Sequence, residues 1–284
     1  MNANLCVERT LDHLADKVGK ALDATPVTII GPILGYVDNT LREAVEAIDA
    51  RIKKNRAVVI LDTDGGVVEI VERMVNILRH HFAELHFVIP DRAMSAGTIF
   101  AMSGDAIWMD YFGCLGPIDP QIEREGKLVP ALSYVVQFEE LVTKSQAGAL
   151  SDAELALLGK LDLADLHYYE QARDLSVSLL VDWLSRYKFK DWTLTETQKT
   201  PVDGTLKRTR ADQIARALSD NTRWKSHGRP ISMTVLRDQL NLKINDLATN
   251  PELQNAVKLY FNLARDYTGR TGREQIVHTP GHCL

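Results

Sequence analysis

Position 95 is a serine with alanine on one side and, two residues on, glycine, in the segment Ala93-Met94-Ser95-Ala96-Gly97. Small neighbours leave room for a carbonyl to approach the hydroxyl. The apolar run 85–89 precedes the segment and small residues continue to about 103, a spacing that predicts a strand, a tight turn and a helix. A serine at such a turn can act as a nucleophile, and the amide of Ala96 would point the same way as its oxygen, as an oxyanion donor should. Taken alone, the commoner use of such a serine is as a helix N-cap. A second turn has the same setting. Gly65-Gly66 follows the run AVVIL at 57–61 and precedes a helical pattern over 67–81. Paired glycines permit the close backbone approach that an oxyanion-binding turn needs, although alone they read as a plain strand-to-helix turn. Two such turns after two strands, about thirty residues apart, would lie on one edge of a sheet, which makes the chemical reading harder to set aside.

The elements that must position these turns follow from periodicity. Strands are expected at 27–30, 57–61, 85–89 and 106–109, alternating with helices at 40–51, 67–81 and up to 103; an amphipathic helix at 6–22 precedes them. Alternation of this kind predicts βαβ units and a mostly parallel sheet. After about 132 the pattern becomes helical, with stretches at 133–147, 151–158, 161–187, 205–219, 232–240 and 251–267. The polar tail after Gly269 is expected to be mobile.

Composition narrows the function classes. A net charge of −5 gives no electrostatic footprint for nucleic acid or an anionic membrane. Three cysteines without CxxC or metal-ligand spacing, and an N-terminus without an apolar h-region, predict a cytoplasmic protein. The longest uncharged run, 24–37, is too short and too broken for a membrane helix. No GxGxxG motif invites a dinucleotide, no cofactor is expected, and no metal site is expected.

The segments LDTDGGVVEIVERMVNILRHH and FVIPDRAMSAGTIFAMSGDAIWMDYFGCLGPIDPQIE, in this order and spacing, resemble the serine dehydrogenase proteinase family, a relative of the Clp proteolytic subunit and of signal peptide peptidase A. The resemblance is clearest over 26–125, with further likeness in YKFKDW (187–192) and WKSHGRPI (224–231). It implies a Clp/crotonase-like α/β fold built as a ββα spiral, with residues 1–132 as core and 133–284 as a helical extension packed on it. It also implies a homo-oligomer that cleaves peptide or protein substrates. Ser95 would be the nucleophile and the amides of Gly65, Gly66 and Ala96 the oxyanion hole. The histidine that follows the serine in the Clp subunit is absent here: that stretch reads Ile118-Asp119-Pro120-Gln121. The resemblance to signal peptide peptidase A therefore points to a lysine base, first Lys144 in LVTKSQAG and then Lys160, while His227 is a third possibility. A lysine base needs a pKa lowered by about 3 units, which takes burial.

Two features keep other readings open. Asp64 stands where proteolytic relatives usually carry proline, and a carboxylate beside an oxyanion turn opposes catalysis unless it is paired or turned away. The alternatives are an acyl-CoA enzyme on the same fold, using Asp119, Asp64 or Glu69 to move protons, and an inactive assembly scaffold.

Overall fold

The structure is a computed structural model that describes residues 3–118, 121–124 and 127–284, with the backbone alone over 121–124, 127–133 and at 221. Helix α1 (Ala3–Leu22) leads into β1 (Thr25–Ile30), α2 (Val37–Glu46), β2 (Arg56–Asp62), α3 (Val68–His81) and β3 (Glu84–Ile89). Then come the two-residue β4 (Arg92–Ala93), α4 (Ala96–Met102), β5 (Ala106–Met109), the short β6 (Cys114–Leu115) and a hairpin of β7 (Gln121–Arg124) and β8 (Lys127–Pro130). Helices α5 (Ala131–Gln146), α6 (Asp152–Leu158) and α7 (Leu163–Trp183) follow, and α7 ends in a π-helical turn at Leu184–Lys188. The remainder is α8 (Gly204–Leu218), α9 (Asn221–Trp224), β9 (Ile231–Ser232), α10 (Met233–Asp238), β10 (Asn245–Asp246), α11 (Pro251–Thr271), β11 (Ile276–Thr279) and β12 (His282–Cys283).

The central sheet runs β10-β5-β3-β2-β1-β11-β12. Strands β10, β5, β3, β2 and β1 are parallel, as the alternating pattern predicts, while β11 is antiparallel to β1 and β12 to β11. Helices cover both faces, so β1 is buried along its whole length and β2 all but its first residue. That is why they read as continuous apolar runs instead of alternating ones. One face carries α2, α3, α4, α7 and α8 over a large core; the other carries α1 and α11, packed on each other.

The sheet draws on both sides of residue 132: β10, β11 and β12 come from the part expected to form a helical extension. The tail expected to be mobile is instead a buried strand. His278 is enclosed, its Nδ1 2.8 Å from the Tyr260 hydroxyl and its Nε2 3.2 Å from Asp12. Thr279 donates to the Ala44 carbonyl at 3.1 Å. The helix expected at 40–51 spans Val37–Glu46, because the Asp49 carboxylate takes the Arg51 N–H at 2.9 Å and closes a turn there.

The edge of the sheet away from the glycine turns is fastened by an enclosed ion pair. Arg79, at the end of α3, places Nη1 2.8 Å from Asp105 Oδ2, with 11% and 6% of the two side chains exposed. Arg79 also donates to the Ser103 carbonyl and stacks on the Tyr187 ring at 3.5 Å. Asp105 accepts the Leu85 N–H at 2.8 Å, which locks the start of β3 to the start of β5. Burial pushes the Asp105 carboxyl up, but hydrogen bonds from Lys190, the Leu85 amide and Arg79 outweigh it and hold the group below its usual range.

Candidate active site

Both turns lie at the carboxyl ends of their strands, β2 for the glycines and β3 for the serine, and the backbone stitches them together. Thr63 N–H donates to the Arg92 carbonyl at 2.9 Å and Met94 N–H to the Thr63 carbonyl at 3.0 Å. The glycine turn is tied on its other side to the loop after β1: Ile33 N–H meets the Gly65 carbonyl at 2.8 Å, and Val67 N–H meets the Ile33 carbonyl at 2.9 Å.

Ser95 immediately precedes α4, 5% exposed, with φ 51° and ψ −118°. A positive φ at a residue with a Cβ costs on the order of 1–3 kcal/mol and persists only where its surroundings impose it. Here they do. Gly97 N–H closes the turn onto the Met94 carbonyl at 2.7 Å. Below it, the buried Thr98 hydroxyl oxygen lies 2.8 Å from the Ala93 carbonyl and 2.9 Å from that of Gly116, and accepts the Gly116 N–H at 2.9 Å. Thr98 is a positioning residue that the sequence reading passed over; its place three residues after the serine, where a helix core is otherwise apolar, was the only available sign. Replacing Thr98 by valine keeps the shape but strands buried backbone groups, so a loss of about 1–3 kcal/mol is expected, read by urea unfolding. A fall in Ser95 reactivity should accompany it, since the turn loses its anchor.

The glycines divide their roles. Gly65 has φ 105°, and a Cβ there would stand 2.7 Å from the Met94 carbonyl oxygen and 2.9 Å from Ser95 Cβ, so its absence lets the two turns touch. Its N–H, expected to be an oxyanion donor, is instead given to Thr63 Oγ1 at 3.0 Å. The N–H groups of Gly66 and Ala96 have no protein partner among the described residues. Asp64, the residue that argued against catalysis, is 73% exposed and paired through Oδ1 with Arg92 Nε at 2.9 Å, so its charge is neutralised away from the turn.

A pocket of about 50 Å³ opens beside Ser95. Its described lining comes from the glycine turn and the start of α3 (Gly66, Val68, Glu69), from Ala96 and Ile99 of α4, from Ile118, and from Tyr168, Ala172 and Ser176 of α7. Lys144 is elsewhere. It sits on α5 with Nζ 2.7 Å from Glu154 Oε1, and Glu154 is itself fixed by the capping box with Ser151. The hydrogen bond that Lys144 donates to Glu154 raises the Lys144 pKa, the reverse of what a base requires. Lys160 is exposed beyond α6, and His227 follows α9; neither is among the described residues that line the pocket. Asp119 lies outside the described residues. Among the described residues, no cluster of three or more His, Cys, Asp or Glu could hold a metal ion, and no helix is long and apolar enough to cross a membrane.

One carboxyl beneath the glycine turn is costly. Asp62, the last residue of β2, is 8% exposed and its Oδ1 has no partner. Burial, then the charge of Asp91, pushes its pKa to about 6. Because the folded value lies above the ordinary 3.8, the neutral acid favours folding below about pH 4, and that advantage is lost as pH rises through about 6. Asp62→Asn should therefore stabilise the protein at pH 7.5 by up to about 3 kcal/mol and by almost nothing at pH 4. Thermal unfolding at the two pH values checks the sign.

Fold and motif together define a ClpP-like serine proteinase scaffold. The chain belongs to the family of ClpP-like SDH-type serine proteinases, whose model matches residues 26–201. Among curated proteins it is 37% identical over 98 residues to the uncharacterized protein MJ0137 of Methanocaldococcus jannaschii, covering 34% of this chain and 33% of that one. It is 40% identical over 63 residues to the uncharacterized protein MJ1495 of the same organism, covering 22% of each. The chain thus spans a third or less of the length of these relatives. Solved structures of the 1510-N membrane-bound stomatin-specific protease are similar at a TM-score of 0.32. A serine-to-alanine variant is 17% identical over 42% of this chain and 62% of that one. A lysine-to-alanine variant in complex with a substrate peptide is 18% identical, over 38% and 54%.

Proposed function

We propose that the protein is a serine peptidase or amidase with Ser95 as nucleophile. The observation that carries this reading is the strained Ser95 turn held against a glycine turn, with the amides of Gly66 and Ala96 beside it unspent among the described residues. Ser95 Oγ forms a bond to the substrate carbonyl carbon, and the oxyanion takes the two N–H groups. The C–N bond then breaks, the leaving amine takes the proton that the base removed from Ser95, and water hydrolyses the acyl-enzyme. Gly65 serves this site by its lack of a side chain, not by its amide. Lys144 is the base that the resemblance names, and in this reading it acts only once its ion pair with Glu154 opens. The substrate is a peptide or protein, the enzyme a cytoplasmic homo-oligomer.

Fluorophosphonate labelling of the whole chain tests the proposal. Labelling of wild type and none of Ser95→Ala is the expected result; no labelling of folded protein would sink it and turn attention to acyl-CoA binding or a scaffold role. Labelling that survives Lys144→Ala would remove Lys144 as the base, and Lys160→Ala and His227→Ala would be compared next.

A further inference from the structure

We propose that the protein binds a phosphate-type oxyanion at the amino-terminal end of β5, held by the ammonium groups of Lys188 and Lys243. This is the edge of the sheet opposite the Ser95 turn, so nothing here depends on the serine chemistry.

Topology brings the two lysines together. Lys188 closes the π-helical turn at the end of α7, in which Phe189 N–H reaches back to the Leu184 carbonyl at 2.8 Å. Such turns are uncommon and recur at functional sites. Two residues on, Lys190 Nζ stands 2.7 Å from Asp105 Oδ1, which fixes the turn beside the residue that precedes β5. Lys243 arrives from the other side. Asn245 pairs with Trp108 in parallel register, so the chain two residues earlier brings Lys243 to the start of β5. On the neighbouring strand, His86 is the partner of Ala106.

The charges there do not balance. Glu84 and Asp105 are the carboxylates that act on the cluster, and both are taken. Glu84 accepts from Arg56 at 2.7 Å and from Lys190 at 3.2 Å; Asp105 is shared by Arg79 at 2.8 Å and Lys190. His86 adds no charge, because burial, then Arg56, pushes its pKa down to about 4. Lys188 is half-buried, and neither its ammonium nor that of Lys243 has a hydrogen-bond or ion-pair partner among the described residues. Burial, then the charge of Lys243, lowers the Lys188 pKa to about 8, opposed only by Asp105. Acceptors are short as well. His86 Nδ1 and Trp108 Nε1 lie on these two strands and on one face of the sheet, enclosed and without a partner among the described residues. An indole nitrogen can only donate. Enclosed donors beside surplus cations call for an acceptor that carries negative charge, which water cannot supply. A phosphate group does so, and it takes lysine as a point charge. Bound here, it would sit at the far end of the helix that borders the Ser95 pocket.

Isothermal titration calorimetry of the whole chain, in chloride of matched ionic strength, tests the site with inorganic phosphate and with phenyl phosphate. Saturable binding is expected. Tighter binding of phenyl phosphate would place the phosphoryl group on an organic molecule, and tighter binding of inorganic phosphate would make the free anion the ligand. Lys188→Met and Lys243→Met should each lower the affinity at least about tenfold, the loss of one hydrogen bond between charged groups. Lys17→Met, at an exposed position on α1, should leave it unchanged. Lys243 is exposed, so its variant keeps the fold and decides the matter even where Lys188→Met does not fold. Sulfate, which does not titrate, gives a second readout at pH 8. A bound anion draws a proton onto Lys188, so the heat should vary with the ionisation enthalpy of the buffer, and this variation should vanish in Lys188→Met. No saturable heat from any of the three anions would overturn the proposal, as would an affinity that the two lysine substitutions leave unmoved.

Discussion

Gly66→Ala is expected to reduce Ser95-dependent turnover by about 10²–10³-fold, the loss seen when one oxyanion donor is removed. Gly66 has φ 150°, and a Cβ there would fall on the Ile33 carbonyl that Val67 N–H uses. The Ile33 loop and the glycine turn cannot keep their present register with that atom between them, so the Gly66 amide is displaced from its place beside Ala96. The strands beneath are untouched, and the fold should survive. Gly35→Ala is the control, since Gly35 lies in the same loop with φ 60° and open space around it. It carries the backbone strain but displaces no partner. Steady-state kinetics of the two variants, with circular dichroism to show that both are folded, separates loss of the amide from general loosening of the loop.

Arg79→Ala is expected to destabilise the protein by about 3–5 kcal/mol, the usual consequence of leaving one member of an enclosed ion pair. Three groups lose a partner at once: Asp105 Oδ2, which keeps only the Leu85 N–H, the Ser103 carbonyl and the face of Tyr187. Lys190 remains against Asp105, which favours the lower end of that range. Since the Asp105 pKa is lowered in the folded protein, its contribution to stability is present above the ordinary carboxylate pKa and is lost as pH falls through the folded value. The gap between wild type and Arg79→Ala in urea unfolding should therefore be wide at pH 7 and narrow in acid. An equal gap at both would mean that the Tyr187 stacking, not the charge, is what Arg79 contributes.

Sequence alone reveals the site's frame better than its chemistry. The pairing of the 57–61 and 85–89 strands, and the meeting of Gly65-Gly66 with Ser95, follow from local signals: an apolar run, a glycine or small-residue turn, a helical period. What the chain does with each amide is not local. Gly65 and Gly66 are indistinguishable in sequence, yet one N–H is spent on Thr63 and the other is not. Lys144 is offered as base by the resemblance of its segment LVTKSQAG, and that segment says nothing of Glu154, ten residues on and locked by Ser151, which pairs with its ammonium. Nor could periodicity put α7 over the pocket, because the residues it contributes, Ala172 and Ser176, look like any small positions on a helix. The last strand escaped for a related reason. Ile276–Thr279 is four residues in a polar setting, and it becomes a strand only because β1, some 250 residues earlier, offers it an edge.

That pairing fixes an order of events during synthesis. Every other strand neighbour of β1 and β2 is available once β3 has been made, but β1 keeps one open edge until residue 279 exists. A nascent chain therefore carries a bare, largely apolar edge through the making of all the helices from α5 to α11. An unpaired edge of that kind is a template for joining other chains. It falls to α1, made before β1 and packed beside β1 and β2, to shield the nascent sheet until β11 arrives.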